Sequence, residues 1–136
     1  MFRLAVLLLL GTAGWAQTAE SYRRDAAEFA RQKSWDNAIW NYHKALELEA
    51  KDPLTLYNLA LALQFNGDTR EALKEFEAAA DLRPKWADAH HGLGATWFDL
   101  HDEAAAMKEL RLRRLSILRT QQRTVCWDAS FPSKTT

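Results

Sequence analysis

Four histidines and one cysteine are the side chains of this 136-residue chain best suited to bind a metal ion or act as a nucleophile. His90 and His91 are adjacent, so on a helix their side chains point about 100° apart and do not chelate one ion together. No second histidine follows His91 at the four-residue spacing of a zinc-binding helix. Cys126 lies in a segment without helical period, and the sequence contains no glycine-rich phosphate loop and no nucleophile elbow. We therefore expect no enzyme activity, no metal site and no cofactor.

The overall charge does not indicate a particular class of partner. The net charge is zero, so nothing predicts binding to nucleic acid. Residues 108–136 nevertheless carry seven basic and two acidic side chains. This segment is compatible with contact to an acidic partner or a membrane surface, but we favour the solvated face of a capping helix. The single Cys126 cannot form an internal disulfide, and a free thiol is favoured over a bond to another chain.

A helix–turn–helix unit, residues 53–86, is the element expected to position functional side chains. From Leu56 to Leu63 the apolar residues follow the spacing of one helical face. Gly67-Asp68 interrupts this pattern, and a second apolar face runs from Ala72 to Ala80. The unit is about 34 residues long, which is the period of a known helical repeat.

Pairs of small residues recur at this period. Ala60 and Ala72 lie where two antiparallel helices would come closest, so a larger side chain at either position would force the helices apart. The equivalent pairs 34 residues away are Ala26 with Ala38 and Gly94 with Ala106. Large residues keep the same register at Phe29, Leu63 and Trp97. When the sequence is aligned with itself at this 34-residue period, equivalent positions form columns of similar residues. Several agreeing columns indicate a repeat protein, and a generic helix bundle with alanine-rich faces is the less favoured alternative.

The chain resembles the tetratricopeptide repeat family. The small–aromatic–small pattern of that family appears as Ala38-x-x-x-Tyr42-x-x-Ala45 and Ala72-x-x-x-Phe76-x-x-Ala79, and its terminal proline as Pro84. The resemblance covers residues 19–52, 53–86 and, with Arg113 and Leu118 in place of the usual alanine and proline, 87–120. It implies an all-α fold, an α-solenoid of about three helix–turn–helix repeats with a C-terminal capping helix or tail.

Capping residues predict where the helices begin. The predicted N-caps are Thr18, Ser34, Asp52 followed by Pro53, Asp68 with Glu71 in a capping-box pattern, and Asp102. No glycine or proline lies between Gly94 and Pro132, so the last helix is expected to reach about Arg123. Residues 121–136 are predicted to form a basic, irregular C-terminal tail.

The first residues have the pattern of a secretory signal peptide. Arg3 precedes an apolar run from Leu4 to Leu10, and Gly14 and Ala16 have the spacing of a cleavage site. The pattern predicts that residues 1–16 are a signal peptide and that the protein is exported, either periplasmic or secreted. The alternatives are an uncleaved anchor or a buried N-terminal helix.

The resemblance implies a binding surface, because in this family the first helix of each pair lines a concave face. The predicted partner-binding residues are Arg23, Arg31, Tyr57, Asn58, Leu61, Gln64, Phe65, His91 and Phe98. Exposed aromatic side chains beside charged ones suit an extended peptide with one or two apolar anchors and an acidic group. The alternative is that some of these side chains, Leu61 in particular, pack against the neighbouring repeat.

Some members of the family clamp the C-terminal carboxylate of chaperone tails with Lys and Asn side chains. Arg23 and Asn58 fall on two of the clamp positions. Ala27, Asp88 and Gly92 fall on the others and cannot form the clamp. We therefore do not expect this chain to bind chaperone tails.

The sequence predicts an exported, non-catalytic adaptor that binds a protein or peptide partner. The alternative is an assembly module that associates with copies of itself or stacks on another repeat protein. The last helix distinguishes the two, because a polar outer face favours the adaptor and an apolar, open face favours self-association.

Overall fold

The computed structural model describes the backbone of residues 17–129 and the side chains of residues 17–122. The described residues form only helices and the turns that connect them, which confirms the predicted all-α fold. The helices are α1 Ala19–Arg31, α2 Trp35–Leu48, α3 Pro53–Asn66, α4 Thr69–Leu82, α5 Ala87–Asp99 and α6 Glu103–Ala129. The predicted signal peptide, the end of the predicted tail (130–136) and the side chain of Cys126 lie outside the described residues.

Local hydrogen bonds fix the start of several helices. At α1, Thr18 and Ser21 form a reciprocal capping box with N···O distances of 3.1 Å. At α3, the Asp52 carboxylate accepts a hydrogen bond from the Thr55 amide at 3.0 Å, and Pro53 occupies the first helical position. Both helices therefore begin at caps that the sequence predicts.

The predicted capping box at the start of α4 is wrong. Asp68 occupies the N-cap position but forms no side-chain cap bond there. Its carboxylate instead accepts a hydrogen bond from the side-chain amide of Asn66 at 2.8 Å, on the preceding turn. The backbone of Asp68, with ψ of 55°, also lies outside the extended region that Thr18 and Asp52 adopt where their side chains cap a helix.

The turn inside each helix pair places one residue in the left-handed region of backbone space. These residues are Lys33, Gly67 and His101, 34 positions apart, with φ of 58°, 98° and 62°. Glycine adopts this conformation without steric cost, whereas lysine and histidine do so against a penalty. His101 therefore has a turn position, as its sequence context predicts.

The small-residue pairs form the centre of the core. Ala26, Ala38, Ala60 and Ala72 are fully buried, and Ala106 is almost so. Because each helix packs against the next one along the chain, and α3 also touches α5, the pairs stack into a solenoid.

One aromatic ring joins the second and third repeats. Phe76 on α4 is fully buried, and a Cβ atom added at Gly92 of α5 would lie 2.5 Å from its ring. Glycine at position 92 therefore makes room for the phenylalanine of the preceding repeat.

The last helix continues farther than expected. α6 extends to Ala129, so residues 121–129 are helical and not irregular as predicted. The physical reason is the absence of any helix-breaking glycine or proline before Pro132. Within residues 17–129, no helix combines the length and apolar character needed to cross a bilayer.

Two glycine substitutions test this packing. Gly92→Ala should lower the free energy of unfolding by about 1–3 kcal/mol, because the new methyl group overlaps the buried ring of Phe76. Gly94→Ala is the matched control. Its Cβ would lie 3.0 Å from Cγ of Leu110, which is partly exposed and free to shift, and the equivalent positions already carry Ala26 and Ala60. That variant should be neutral or more stable by up to about 1 kcal/mol in urea unfolding, since alanine favours helix. Equal losses for the two variants would contradict the packing of Phe76 on α5.

A second pair of substitutions tests helix capping. Asp52→Ala should destabilise the protein by about 1 kcal/mol more than Asp68→Ala, because only the first removes a cap bond. Urea unfolding at neutral pH measures the difference, and equal losses would contradict it.

The cap at Asp52 should also make the stability of the protein depend on pH. Burial by itself raises the pKa of Asp52, but hydrogen bonds from Thr55 and Leu54 and the charge of Arg23 outweigh burial and leave the pKa below its usual value. The stabilisation from Asp52 should therefore be complete above its unfolded pKa of about 3.9 and disappear as the pH falls through the lower folded pKa. Urea unfolding of the wild type and Asp52→Ala across this acidic range checks the prediction, which fails if the difference between them does not shrink.

Candidate functional site

The predicted site residues lie on α1, α3 and α5, the first helices of the three pairs, and we call this surface the inner face. Two clefts of about 520 Å³ each open at its ends. The charged cleft lies between α1 and α3 and is lined by Glu20, Arg23, Arg24, Ala27, Glu49, Asp52, Leu54 and Asn58. The apolar cleft lies between α5 and α6 and is lined by His91, Gly94, Ala95, Phe98, Asp99, Glu103, Ala106, Met107 and Leu110.

In the charged cleft, Arg23 is paired with carboxylates of the chain itself. Its guanidinium lies 2.6 Å from the carboxylate of Glu49, 3.0 Å from that of Glu20 and 3.5 Å from that of Asp52. The hydrogen bond that Arg23 donates to the Glu49 carboxylate is the largest influence that raises the pKa of Arg23. With three carboxylates around it, Arg23 ties α1 to the turn before α3 and has little capacity left for a partner's acidic group.

Arg24 is the basic residue of this cleft that sequence reasoning missed. It is exposed, and it forms no ion pair or hydrogen bond with the part of the chain that the structure describes. Its repeat position is that of Asn58 and Gly92, both of which the sequence comparison placed on the inner face. The periodicity could therefore have identified Arg24.

Two of the predicted partner-binding residues, Tyr57 and Leu61, contribute to packing inside the fold. The ring of Tyr57 lies 5.6 Å from that of Phe76 and 4.8 Å from that of Trp86, measured between centroids. Burial, with a smaller effect from the charge of Asp88, raises the pKa of the Tyr57 hydroxyl. Leu61 also packs against the core. These two side chains are half-buried and offer a partner less surface than the sequence suggests.

Gln64 and Phe65 lie between the clefts. The side-chain amide of Gln64 donates a hydrogen bond to the Asp99 carboxylate at 3.2 Å. Phe65 is 66% exposed, and its ring stacks on Trp35 of the first repeat at 5.0 Å, not on the third repeat near Phe98. Arg31 pairs with Glu28 of its own helix and lines neither cleft.

The apolar cleft contains the remaining predicted residues, His91 and Phe98. Phe98 is 64% exposed and Met107 is 63% exposed, and Leu110 completes the apolar wall. Sequence reasoning missed Met107 and Leu110 because they lie on the second helix of the pair, which is not expected to line the inner face.

The neighbouring His90 has a structural role. It is buried, and its Nε2–H donates to the carbonyl oxygen of Pro84 at 2.8 Å. Its Nδ1 lies 2.9 Å from a carboxylate oxygen of Glu109 on α6. Both ring nitrogens are therefore engaged, and the side chain joins α5 to α6 and to the turn before α5.

Several solved structures have the same arrangement of helices. The crystal structure of MamA superposes with a TM-score of 0.75 at 17% identity, over 77% of this chain and 61% of that one. The TPR2B domain of yeast Sti1, solved in complex with pHsp70, gives a TM-score of 0.72 at 20% identity, over 81% and 88% of the two chains. No family model matches the sequence, but the fold and the 34-residue columns agree. The chain belongs to the tetratricopeptide repeat family.

This tetratricopeptide protein also has curated relatives that are similar to it in sequence. The photosystem I assembly protein Ycf3 of Cyanophora paradoxa is 30% identical over 111 residues, which are 79% of this chain. The protein of the same name from Synechococcus elongatus is 36% identical over 100 residues, 65% of this chain. The aligned part spans 64% and 57% of the length of these relatives.

The expectation of export is wrong. It is overturned by the relatives of this tetratricopeptide protein, which are named photosystem I assembly proteins. The pattern of residues 1–16 misled because a short apolar run next to small residues is a weak signal that other apolar segments share.

The two aromatic residues of α3 should differ in their effect on stability. Tyr57→Ala should cost about 2 kcal/mol or more, because the ring packs on Phe76 and Trp86 at a repeat junction. Phe65→Ala should cost about 1 kcal/mol, the value of one exposed aromatic stack. Urea unfolding of the two variants checks the order, and a greater loss for Phe65→Ala would contradict the assignment.

Proposed function

We propose that this chain is a non-catalytic adaptor that binds a protein partner on its inner face. The relatives are named for the assembly of photosystem I, a task that requires contact with other proteins. A solved neighbour of the same fold, the TPR2B domain of Sti1, is in complex with pHsp70. These likenesses support protein binding as the general function and leave the partner to be identified.

The observation that carries this proposal is the difference between the two clefts. The charged cleft presents the exposed guanidinium of Arg24, and the apolar cleft presents the exposed ring of Phe98. Asn58 and Gln64 lie on the helix between them and carry amide groups that can hydrogen-bond a peptide backbone. An extended segment with a carboxylate at one end and an apolar anchor at the other matches this order of groups.

A chaperone tail is not the partner that we propose. The clamp positions at Ala27 and Asp88 lack basic or amide groups, and Gly92 lies under the ring of Phe76. Arg23 is already surrounded by three carboxylates.

Assembly by self-association is the second candidate function. It is favoured by the apolar residues that α6 exposes, which include Met107, Leu110 and Leu118. An open apolar face at the end of a repeat stack is a feature of proteins that continue or pair the stack.

A peptide library displayed on phage tests the adaptor proposal. Selected peptides should combine an apolar residue with an acidic group. Their affinity should fall by roughly 30-fold, about 2 kcal/mol, for the variant with Arg24→Ala and Phe98→Ala, because both anchoring contacts are lost. Lys74→Ala, on the exposed side of α4, is the control and should bind as the wild type does. Isothermal titration measures the affinities. Selection of peptides that bind the double variant equally well would contradict the inner face as the binding surface.

A further inference from the structure

The C-terminal end of the repeat stack leaves apolar residues open that are covered one repeat earlier. Met107 and Leu110 occupy the repeat positions of Leu73 and Phe76. Phe76 is fully buried beneath α5, whereas Leu110 is 40% exposed. No helix among the described residues takes the place over α6 that α5 takes over α4. The apolar cleft is therefore the position in which a following helix would pack.

The N-terminal end of the stack has the opposite character. The outward side of α1 carries Ser21, Asp25 and Glu28, at the repeat positions of Ala89, Leu93 and Thr96. All three residues of the third repeat are buried. Charged side chains at these positions make α1 a polar cap. Head-to-tail stacking of copies would bury those charges against the apolar cleft and is disfavoured.

α6 itself contains a segment that fits the apolar cleft. At about 1.5 Å per residue its 27 residues measure about 40 Å, whereas the 13 residues of α5 measure about 20 Å. About half of α6 therefore projects beyond its neighbour. Ile117 and Leu118 lie on this projection and are partly exposed, and Leu112 and Leu115 just before it are partly exposed as well. A helix with apolar residues on more than one side is typically covered by other helices.

Charge determines which arrangement of two copies is favourable. Acidic residues gather where α5 ends and α6 begins, at Asp99, Asp102 and Glu103. Basic residues follow along α6 at Arg111, Arg114 and Arg119, all exposed and without an ion pair to any described residue. Two α6 helices placed antiparallel bring the basic half of each against the acidic start of the other. A parallel placement would bring like charges together.

We propose that the C-terminal end of the stack is the contact surface of a two-fold symmetric dimer. The projecting half of α6 from each copy lies in the apolar cleft of the other, with the two helices antiparallel. The contact is isologous, so it closes on itself and does not extend into a filament. This inference deepens the self-association candidate. Because the dimer fills the apolar cleft that contains Phe98, dimerisation and peptide binding at that cleft are expected to compete.

Sedimentation velocity of the full chain over a range of concentrations tests the proposal. The wild type should show a monomer–dimer equilibrium. Ile117→Ser with Leu118→Ser should raise the dissociation constant at least tenfold, while circular dichroism and the melting temperature of the monomer remain unchanged, because these residues project beyond α5. Leu48→Ser with Leu82→Ser replaces two leucines outside the contact that are 56% and 41% exposed, against 37% for Ile117 and 44% for Leu118, and should leave the dimer intact.

A charge exchange tests the antiparallel arrangement independently of the apolar contact. Arg119→Glu and Glu103→Arg should each weaken the dimer, and the two substitutions together should restore it. A chain that stays monomeric at every concentration would overturn the proposal, as would a dimer that survives the Ile117/Leu118 substitutions or a charge pair without rescue. Binding of selected peptides to the Ile117/Leu118 variant is measured in parallel, so that failure of the dimer and failure of the adaptor function are told apart.

Discussion

Close approach between the two helices of each repeat is the constraint on which the rest of the structure depends. Ala60 faces Ala72 at the crossing of α3 and α4, and both are fully buried. The same pairing recurs at 34-residue intervals, so every helix pair has nearly the same geometry and can stack on the next. Because backbones this close leave no space for larger side chains, the large apolar residues lie between repeats, as Phe76 does. The absence of a methyl group at Gly92 then allows α5 to approach the ring of Phe76 on α4.

The inner face results from this stacking and is less uniform than a row of first helices suggests. Tyr57 lies at a junction where Phe76 and Trp86 also meet, so much of its ring contributes to packing. Arg23 lies where α1 meets the turn before α3, and there it is neutralised by Glu49 and its neighbours. The side chains with the most freedom are at the ends of the face, where fewer helices surround them. The binding surface that we propose is therefore concentrated in the two clefts.

The two ends of the stack differ in a way that bears on assembly. α1 covers the first repeat with charged residues, whereas α5 and α6 leave leucine, methionine and phenylalanine in contact with solvent. In an α-solenoid a terminal repeat needs a polar outer face to remain apart from other chains. Within residues 17–122, the end of the stack formed by α1 meets that condition and the end formed by α5 and α6 does not.

The sequence by itself determined the helices, their pairing and the family. The 34-residue columns at Ala26, Ala60 and Gly94 carry this information, because local periodicity and the volume available at a helix crossing are written into residue types. Sequence also located the caps at Thr18 and Asp52, where the partner is three residues away. It failed at Asp68, whose backbone is not in the extended conformation of the other two caps, and at residues 1–16, where a short apolar run has several meanings.

Only the tertiary structure decided which side chains of the candidate site are free. Arg23 and Arg24 are neighbours of the same type, yet one is surrounded by carboxylates and the other is exposed. That outcome depends on Glu49 and Asp52, which fold back from a distant part of the chain. Likewise Met107 and Leu110 look like core residues in the repeat pattern, and they are open because no helix among the described residues packs over them. Periodicity predicts the face of a helix on which a residue lies, but the neighbour across that face is determined by the packing of separate segments.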